Sequence, residues 1–251
     1  MAVLAIGTSD GRVRLVDVAT GEMRVDVLAH TRAVHCVTLS PDGKAFASGG
    51  RDTSWKLWDA AEGSILACMR GHSGDGECIC EMGGDGRRRR LNPGCPQPGH
   101  FQWVDAISMA PCGNRVATGG RDGVGMVWNL LKGNVDVRVA GHRDSIRSLC
   151  FSPDGTQLAT GGADGDISVW DANSGAQVFA MEGAHRSLGV ESVAWAPCGR
   201  KIASGGRDFA VRIWDAASGA ELVTLCGHDD EVAPCQPFPV RLAPTRAHDC
   251  S

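Results

Sequence analysis

One segment of the sequence recurs at regular intervals, and this repeat constrains the fold more than any other feature. Four nearly complete copies and one degenerate copy are present: GGRDTSWKLWD (49–59), GGRDGVGMVWN (119–129), GGADGDISVWD (161–171), GGRDFAVRIWD (205–215) and GTSDGRVRLVD (7–17). The penultimate residues of the copies, taken in chain order, are spaced 42, 70, 42 and 44 residues apart. A period in the low forties is typical of architectures in which each repeat packs on its neighbours. The repeat therefore predicts an array of similar units.

Each unit contains four short segments with the pattern of β-strands. The first is an apolar stretch closed by a Pro/Gly turn, as in SIRSLCFSPDG (145–155), and the second ends in a Ser or Thr, as in QLATGG (157–162). The third alternates apolar and polar residues before its Trp, and a fourth follows a turn such as ANSG (172–175). Alternation bounded by turn residues predicts strands, so we expect an all-β fold.

The sequence resembles the WD-repeat β-propeller family. The resemblance rests on a Gly-His or Ala-His pair, a Ser or Thr, an Asp and a closing Trp-Asp pair at the family's spacing, and it covers nearly the whole chain. It implies an all-β propeller of about five blades, each with four antiparallel strands. The predicted propeller spans 1–232, with a partial strand after 227 and an irregular tail at 233–251. Its units lie at approximately 1–28, 29–70, 99–140, 141–183 and 184–226.

The first unit departs from the pattern and leaves the number of blades open. Ile6 stands at the Ser/Thr position and Val16 at the Trp position, and the unit begins with its second strand. The segment after 227 is the candidate for the missing first strand, although three prolines in 234–239 fit a central strand poorly. The chain therefore forms a five-blade ring, an open arc of a longer propeller or a truncated propeller, and we favour an arc or fragment.

The repeated polar residues include the types found in a hydrolase triad, but four copies argue for a structural role. The resemblance implies that the Trp indole, the hydroxyl, the His ring and the Asp carboxylate form a hydrogen-bonded tetrad in each blade. Such a network would satisfy buried polar groups that cost about 1–3 kcal/mol each when left unpaired. The predicted tetrads are His30, Ser48, Asp52 and Trp58; His100, Thr118, Asp122 and Trp128; His142, Thr160, Asp164 and Trp170; and His185, Ser204, Asp208 and Trp214.

The long interval between the second and third copies predicts an insertion at 73–98. This segment is rich in Gly, Pro and Arg and is expected to be disordered. Two functional alternatives remain for it. His72, Cys78, Cys80 and Cys95 could bind zinc, although their spacing lacks paired C-x-x-C motifs. The four arginines at 87–90 could form a nuclear-import signal or an acidic-partner patch.

Composition narrows the possible functions. The net charge of −4 gives no overall basic field for nucleic acid, and no apolar run is long enough for a membrane helix. Eleven cysteines, an odd number with several at matching repeat positions, indicate free thiols in a reducing compartment. We therefore expect a cytoplasmic protein, with the nucleus as an alternative.

The sequence contains neither a phosphate-binding G-x-x-x-x-G-K motif nor a G-x-S-x-G nucleophile motif, so no cofactor, metal site or catalytic residue is predicted. By analogy with the family we expect a non-catalytic protein-interaction scaffold or adaptor. A ubiquitin-ligase substrate receptor is one alternative, although no Arg lies two residues after any of the four complete-copy Trp-Asp or Trp-Asn pairs. A ligand-binding or enzymatic propeller with its site at the channel mouth is the alternative from another class.

The resemblance also predicts where a partner binds. The residue before each tetrad Asp lies near the channel mouth in the family, and three of these four residues are arginines. Residues that follow each tetrad His are expected on the same rim. An arginine-rich and aromatic rim suits an acidic or phosphorylated segment of a partner protein. The predicted partner-binding residues are Arg51, Arg121, Arg207, Arg32, Phe101, Trp103, Arg143, Arg186 and Leu188.

Overall fold

The computed structural model describes residues 2–70, 80–82, 99–185 and 188–226, which form twenty β-strands joined by turns and loops. Within these residues no helix is long and apolar enough to cross a membrane. The strands are β1 (Val3–Gly7), β2 (Arg12–Asp17), β3 (Met23–Leu28), β4 (Val34–Leu39), β5 (Ala45–Gly50), β6 (Ser54–Asp59), β7 (Ile65–Arg70), β8 (Cys80–Met82), β9 (Val104–Met109), β10 (Arg115–Gly120), β11 (Val124–Asn129), β12 (Asn134–Ala140), β13 (Ile146–Phe151), β14 (Gln157–Gly162), β15 (Ile167–Asp171), β16 (Gln177–Met181), β17 (Val190–Trp195), β18 (Lys201–Gly206), β19 (Ala210–Asp215) and β20 (Glu221–Cys226).

The strands form five antiparallel sheets, which we number 1 to 5 in chain order. Sheet 1 has the order β1-β2-β3, sheet 2 the order β4-β5-β6-β7-β8, and sheets 3, 4 and 5 contain β9–β12, β13–β16 and β17–β20. All pairings join strands that are consecutive in the chain, as expected for up-and-down blades. The predicted all-β fold with five propeller-type units is therefore confirmed.

Local sequence explains where the strands turn. In the SPDG turn at 40–43, Gly43 adopts a positive φ of 71°, a conformation that residues with a Cβ disfavour. The Asp42 carboxylate accepts hydrogen bonds from the Ser40 hydroxyl at 2.7 Å and from the Lys44 amide at 3.0 Å. The turn thus directs the chain from the first strand of sheet 2 into the second.

Successive sheets pack face to face through one recurring type of contact. Between sheets 2 and 3, Trp55 and Leu57 of sheet 2 share a core with Val116 and Trp128 of sheet 3. Trp58, Trp170 and Trp214 occupy the corresponding places at the other three junctions. Each tetrad Trp therefore lies on the side of its sheet that meets the preceding sheet.

The five sheets form an open arc around a shared space. A cavity of about 690 Å³ is lined by residues from the innermost strand of every sheet, among them Leu4, Leu39, Met109, Phe151 and Trp195. Sheets 1 to 5 pack in series, and in the part of the chain that the structure describes sheet 5 is not packed on sheet 1. This arrangement agrees with the open arc favoured from the sequence.

Two predicted segments fall wholly or largely outside the described residues. Sheet 1 has three strands, and the segment after 227 that was expected to supply its missing strand is not described. Most of the insertion at 73–98 is likewise outside, but Cys80–Met82 form β8, which pairs with β7. These three residues extend sheet 2 at the edge of β7, whose backbone groups are available for pairing.

Candidate functional site

Each predicted tetrad is joined by hydrogen bonds inside its own sheet. In sheet 3 the Trp128 indole donates to the Thr118 hydroxyl at 2.8 Å, and this hydroxyl lies 2.8 Å from His100 Nε2. His100 Nδ1 lies 3.1 Å from the Asp122 carboxylate. Equivalent distances in sheets 2, 4 and 5 lie between 2.7 and 3.1 Å. The four networks are repeats of one arrangement.

In sheet 3 the hydroxyl and the His100 ring satisfy each other when Nδ1 carries the ring proton. Thr118 accepts the indole N–H and has one hydrogen of its own, which it donates to His100 Nε2. His100 Nδ1 then carries the proton that it donates to Asp122. The hydroxyl of this tetrad is therefore engaged twice, and both ring nitrogens have partners. The arrangement satisfies buried groups, and because Thr118 is fully buried its hydroxyl is not accessible to a substrate.

Two of the tetrad carboxylates illustrate how the charged form is stabilised. Burial opposes the charge on Asp52, but hydrogen bonds from His30, the Ser54 hydroxyl and the Thr31 amide outweigh it, so the pKa of Asp52 lies well below its usual range. The pKa of Asp122 is lowered in the same way, against burial, by His100 and two backbone amides. The tetrads therefore include buried ionised acids.

Sheet 5 adds a residue that the sequence interpretation missed. Arg212, only 8% exposed, donates to Asp208 at 2.6 Å and lies 2.8 Å from His185 Nδ1. Burial and the nearby Arg212 cation lower the pKa of His185, although Asp208 opposes this shift. One feature of the sequence indicates that Arg212 is special to this sheet. The position holds an arginine here, whereas the other complete copies hold Lys56, Met126 and Ser168.

The degenerate first unit has no such network in the described residues. Ile6 is 38% exposed, whereas its counterpart Ser48 is fully buried. Asp10 instead accepts a hydrogen bond from Thr8, which is the main cause of its lowered pKa.

The arginines that precede the tetrad Asp residues are paired with residues of their own first strands. The Arg51 Nε group donates to His35 Nε2 at 2.6 Å, and the Arg121 Nε group donates to Asp105 at 3.0 Å. His35 Nδ1 lies 2.6 Å from Asp105, so this cluster joins sheets 2 and 3.

Trp103 connects the two arginines of this cluster. The Arg121 guanidinium carbon lies 3.9 Å from the Trp103 ring centroid, and that of Arg51 lies 4.4 Å away. The His35 ring meets the same indole edge-on, with centroids 5.6 Å apart. We call Arg51, His35, Trp103, Asp105 and Arg121 the rim cluster.

Arg207 belongs to a separate group on sheets 4 and 5. It donates to Glu191 at 2.6 Å, and Arg147 binds the same carboxylate from the neighbouring sheet. In sheet 4 the residue before the tetrad Asp is Ala163 and not an arginine. Arg147 lies 16 residues before Ala163. The residues at the same offset in sheets 2, 3 and 5 are His35, Asp105 and Glu191. A cavity of about 440 Å³ is lined by residues of both groups, including Arg121, Arg147, Asp105 and Glu191.

The remaining predicted rim residues do not join the rim cluster. Phe101 is 59% exposed, Leu188 is 55% exposed, and Arg32 is exposed. Arg143 binds Asp166 of its own sheet at 3.0 Å, and Arg186 lies outside the described residues. The structure thus brings together Arg51, Trp103 and Arg121 of the predicted set.

The zinc alternative for the insertion rests on residues whose side chains the structure does not describe. His72, Cys78 and Cys95 lie outside the described residues, and of Cys80 only the backbone position in β8 is described. Within the rest of the described chain, no group of three or more His, Cys, Asp or Glu residues could hold a metal ion. The arginines at 87–90 are also outside the described residues.

Comparison with known proteins identifies the repeat. The model of the WD domain, G-beta repeat, matches residues 23–59, 93–129, 134–171 and 177–215. Human WD repeat and SOCS box-containing protein 1 is 32% identical over 92 residues, which are 32% of this chain and 22% of that protein. Autophagy-related protein 16 of Arabidopsis thaliana is 30% identical over 129 residues, covering 51% of this chain and 21% of that protein.

A shorter match is closer in sequence. Human WD repeat-containing protein 3 is 41% identical over 56 residues, which are 22% of this chain and 6% of that protein. The chain thus spans less than a quarter of the length of each of these relatives.

Proposed function

Because this chain belongs to the WD-repeat family, whose domains are protein-interaction scaffolds, we propose that it is a non-catalytic adaptor that binds partner proteins through the rim cluster. Four matched repeats and five packed sheets support a rigid platform. The partner segment is acidic or phosphorylated. A cytoplasmic or nuclear location is part of this proposal, supported by Cys36, Cys112, Cys150 and Cys226, which form no disulfide.

The observation that carries the proposal is the position of two guanidinium groups against one indole. The described hydrogen bonds of Arg51 and Arg121 use their Nε groups, so their terminal NH₂ groups are available for a carboxylate or phosphate. Stacking on Trp103 holds both side chains in place before binding, which reduces the entropy lost on association. Arginine is suited to this role because its planar fork binds an oxyanion through two hydrogen bonds.

The charges of the rim cluster favour an anionic partner. Arg51 and Arg121 carry two positive charges, whereas Asp105 carries one negative charge. The cluster therefore has an excess of one positive charge. This positive charge would attract a phosphate or carboxylate, which favours encounter as well as binding.

The similarity to a SOCS box-containing protein supports one version of this proposal. In that version the bound partner is a substrate presented for ubiquitin transfer, and this chain supplies the substrate-receptor surface. The rim cluster would serve this role without any catalytic residue in the chain.

The proposal is tested with a defined probe, a set of immobilised phosphoserine peptides and their Asp- and Glu-rich counterparts. We expect wild-type protein to bind a subset of these peptides, and the variant with Arg51→Glu, Arg121→Glu and Arg207→Glu to lose that binding. The matched control is Lys44→Glu with Lys201→Glu, which likewise replaces positive by negative charges but alters no rim residue. Equal binding by the triple variant and the wild type would show that the rim is not the site.

A second measurement separates loss of binding from loss of folding. All three arginines are at least partly exposed, so the triple variant should keep the far-ultraviolet circular dichroism of wild type. Its melting temperature should nevertheless fall, because Arg121→Glu and Arg207→Glu set a carboxylate beside Asp105 and Glu191. Arg51→Lys with Arg121→Lys preserves the charge but removes the planar fork, and we expect it to weaken peptide binding less than the glutamate variant does.

A further inference from the structure

The cavity of about 440 Å³ that adjoins the rim cluster, which we call the mouth cavity, contains a carboxylate with no described cation partner. Of the three carboxylates that line it, Asp105 and Glu191 are bound by arginines. The third, Asp144, is exposed, and its carboxylate accepts a described hydrogen bond only from the backbone amide of Ser145, at 2.6 Å. The mouth cavity therefore has one negative charge that the described part of the chain leaves unpaired.

A nearly buried hydroxyl next to Asp144 also lacks a partner. Ser145 lines the mouth cavity and is only 8% exposed. Its backbone amide donates to Asp144, and its carbonyl accepts from the Ala163 amide at 2.8 Å. Its hydroxyl makes no hydrogen bond to any other described residue. A nearly buried polar group of this kind is costly to leave unpaired, so a ligand that binds the hydroxyl would gain affinity.

Two small residues of sheet 4 explain why space remains at this point. In sheet 3 the Arg121 amide donates to the Trp103 carbonyl at 3.0 Å, and the two side chains stack. In sheet 4 the equivalent backbone hydrogen bond joins Ala163 to Ser145. Sheet 4 thus has a methyl and a hydroxymethyl group where sheet 3 has a guanidinium over an indole. The space that larger side chains would fill stays open beside Ser145.

The loop that carries Asp144 packs closely on the turn that carries Arg121. Gly123 of this turn has a positive φ of 72°, and a Cβ at this position would lie 3.2 Å from the Asp144 carbonyl oxygen and 3.3 Å from that of His142. Glycine therefore permits this close approach of two backbone segments. Asp144 lies beside the turn that holds an arginine of the rim cluster, and both residues line the mouth cavity.

From these contacts we propose that the mouth cavity binds a lysine or arginine side chain of the same partner segment whose acidic or phosphorylated residue binds the rim cluster. The cationic group donates hydrogen bonds to the Asp144 carboxylate and to the Ser145 hydroxyl oxygen. This inference rests on the proposed function, because the rim cluster makes the first contact with the segment. The recognised segment then carries two charges of opposite sign, and a purely acidic segment binds less tightly.

The charges and the size of the mouth cavity favour a cationic side chain. Its two arginines, Arg121 and Arg147, already bind carboxylates of the protein, whereas Asp144 has no described cation beside it. A positive group that enters is therefore attracted by a charge that is not yet balanced. The volume lies within the roughly 300–1,000 Å³ of pockets that hold small ligands, so one long side chain can be accommodated.

The test uses a phosphoserine peptide that binds wild-type protein in the array described above. The peptide is remade as a series in which one lysine is moved along the residues on both sides of the phosphoserine, with alanine at the other flanking positions. Fluorescence anisotropy should show one lysine position at which the affinity exceeds that of the all-alanine peptide by about tenfold. The variant Asp144→Asn should lose this gain, because it keeps an oxygen that can accept from the Ser145 amide but removes the charge. Ser145→Ala should lose part of it.

A charge exchange tests the contact directly. Asp144→Lys should reverse the preference, so that the peptide with glutamate at the selected position binds more tightly than the peptide with lysine. Affinities of two peptides are compared within each variant, so a general effect of the added charge cancels. Glu62→Lys is the matched control, because Glu62 is exposed in the turn between β6 and β7, at the opposite end of these strands from the rim, and should keep the wild-type preference.

Failure of this inference and failure of the proposed function give different results. If the mouth cavity does not bind the lysine, the phosphopeptides still depend on Arg51 and Arg121, but the lysine and alanine peptides bind equally at every position, or Asp144→Lys keeps the wild-type preference. Either result overturns the inference alone. If peptide binding does not depend on Arg51 and Arg121, both are overturned. Binding of the all-alanine phosphopeptide by the Asp144 variants shows that these variants are folded.

Discussion

The guanidinium of Arg212 lies 2.6 Å from the carboxylate of Asp208, within a tetrad that the other sheets form without an arginine. Both groups are nearly buried, and the same Arg212 nitrogen faces His185. The cation contributes to the lowered pKa of His185, after burial, and its hydrogen bond to Asp208 contributes to the lowered pKa of that carboxyl. Sheet 5 therefore places a cation beside the histidine and the carboxylate of its tetrad.

Removal of this cation should shift the pH dependence of stability. His185 has a lowered pKa in the folded protein, so the stability it contributes is present above its unfolded pKa of about 6.5 and is lost as pH falls. In Arg212→Met the pKa of His185 should rise, and the decrease in melting temperature between pH 7 and pH 5 should become smaller. Histidine resonances followed by NMR give the pKa directly. An unchanged His185 pKa would contradict the prediction, and Lys56→Met in sheet 2 is the control.

The buried tetrad tryptophans should dominate the stability of their sheets. Trp170 is 3% exposed and bonded to Thr160, so Trp170→Ala should lower the free energy of unfolding by about 3–5 kcal/mol. Val16 holds the equivalent position in sheet 1 but is partly exposed, so Val16→Ala should cost much less. Urea denaturation of the two variants measures both free-energy changes. Equal decreases would show that the tetrad Trp contributes no more to stability than the Val at the equivalent position.

Deletion of residues 73–100 tests whether the insertion is dispensable. The segment begins after one Gly-His pair and ends with another, so the deletion leaves His72 in the place of His100. We expect a melting temperature that is unchanged or higher, because the deletion shortens a connection without removing a strand of the four-stranded repeat. A decrease of several degrees, or one zinc ion bound per wild-type chain in metal analysis, would contradict this expectation.

The repeated parts of the molecule were the parts that the sequence could predict. His142, Thr160, Asp164 and Trp170 recur at the same offsets in two other units, and in sheet 5 with one more residue after the His, so one pattern located four networks and the strands that hold them. The residues at the channel mouth vary between units, and their contacts depend on how neighbouring sheets pack. The bond between His35 and Asp105 joins residues 70 positions apart, and no local pattern specifies it.

The same reason explains why only part of the predicted rim lies in one cluster. Arg51, Arg121 and Arg207 occupy equivalent positions, but Arg207 binds a carboxylate shared with Arg147 and lies outside the rim cluster. The partner of each arginine is a residue of the first strand in the same sheet. These partners are His35 for Arg51, Asp105 for Arg121 and Glu191 for Arg207. Equivalence in the repeat fixed the position of the arginines but not their neighbours.

The last prediction concerns Trp103, which holds both arginines of the rim cluster. Each guanidinium over the indole contributes about 0.5–1 kcal/mol at a partly exposed site, so Trp103→Leu should free both side chains and remove about 1–2 kcal/mol of positioning energy. If the rim cluster binds an anionic peptide, the affinity should fall about five- to thirtyfold, measured by fluorescence anisotropy with the phosphopeptides selected above. Phe101→Leu is the control, since Phe101 is exposed and lies outside the cluster, and it should bind like wild type. Trp103→Phe keeps an aromatic face and should recover part of the loss. If Trp103→Leu binds the peptides with wild-type affinity, the stacked arginines do not form the binding surface.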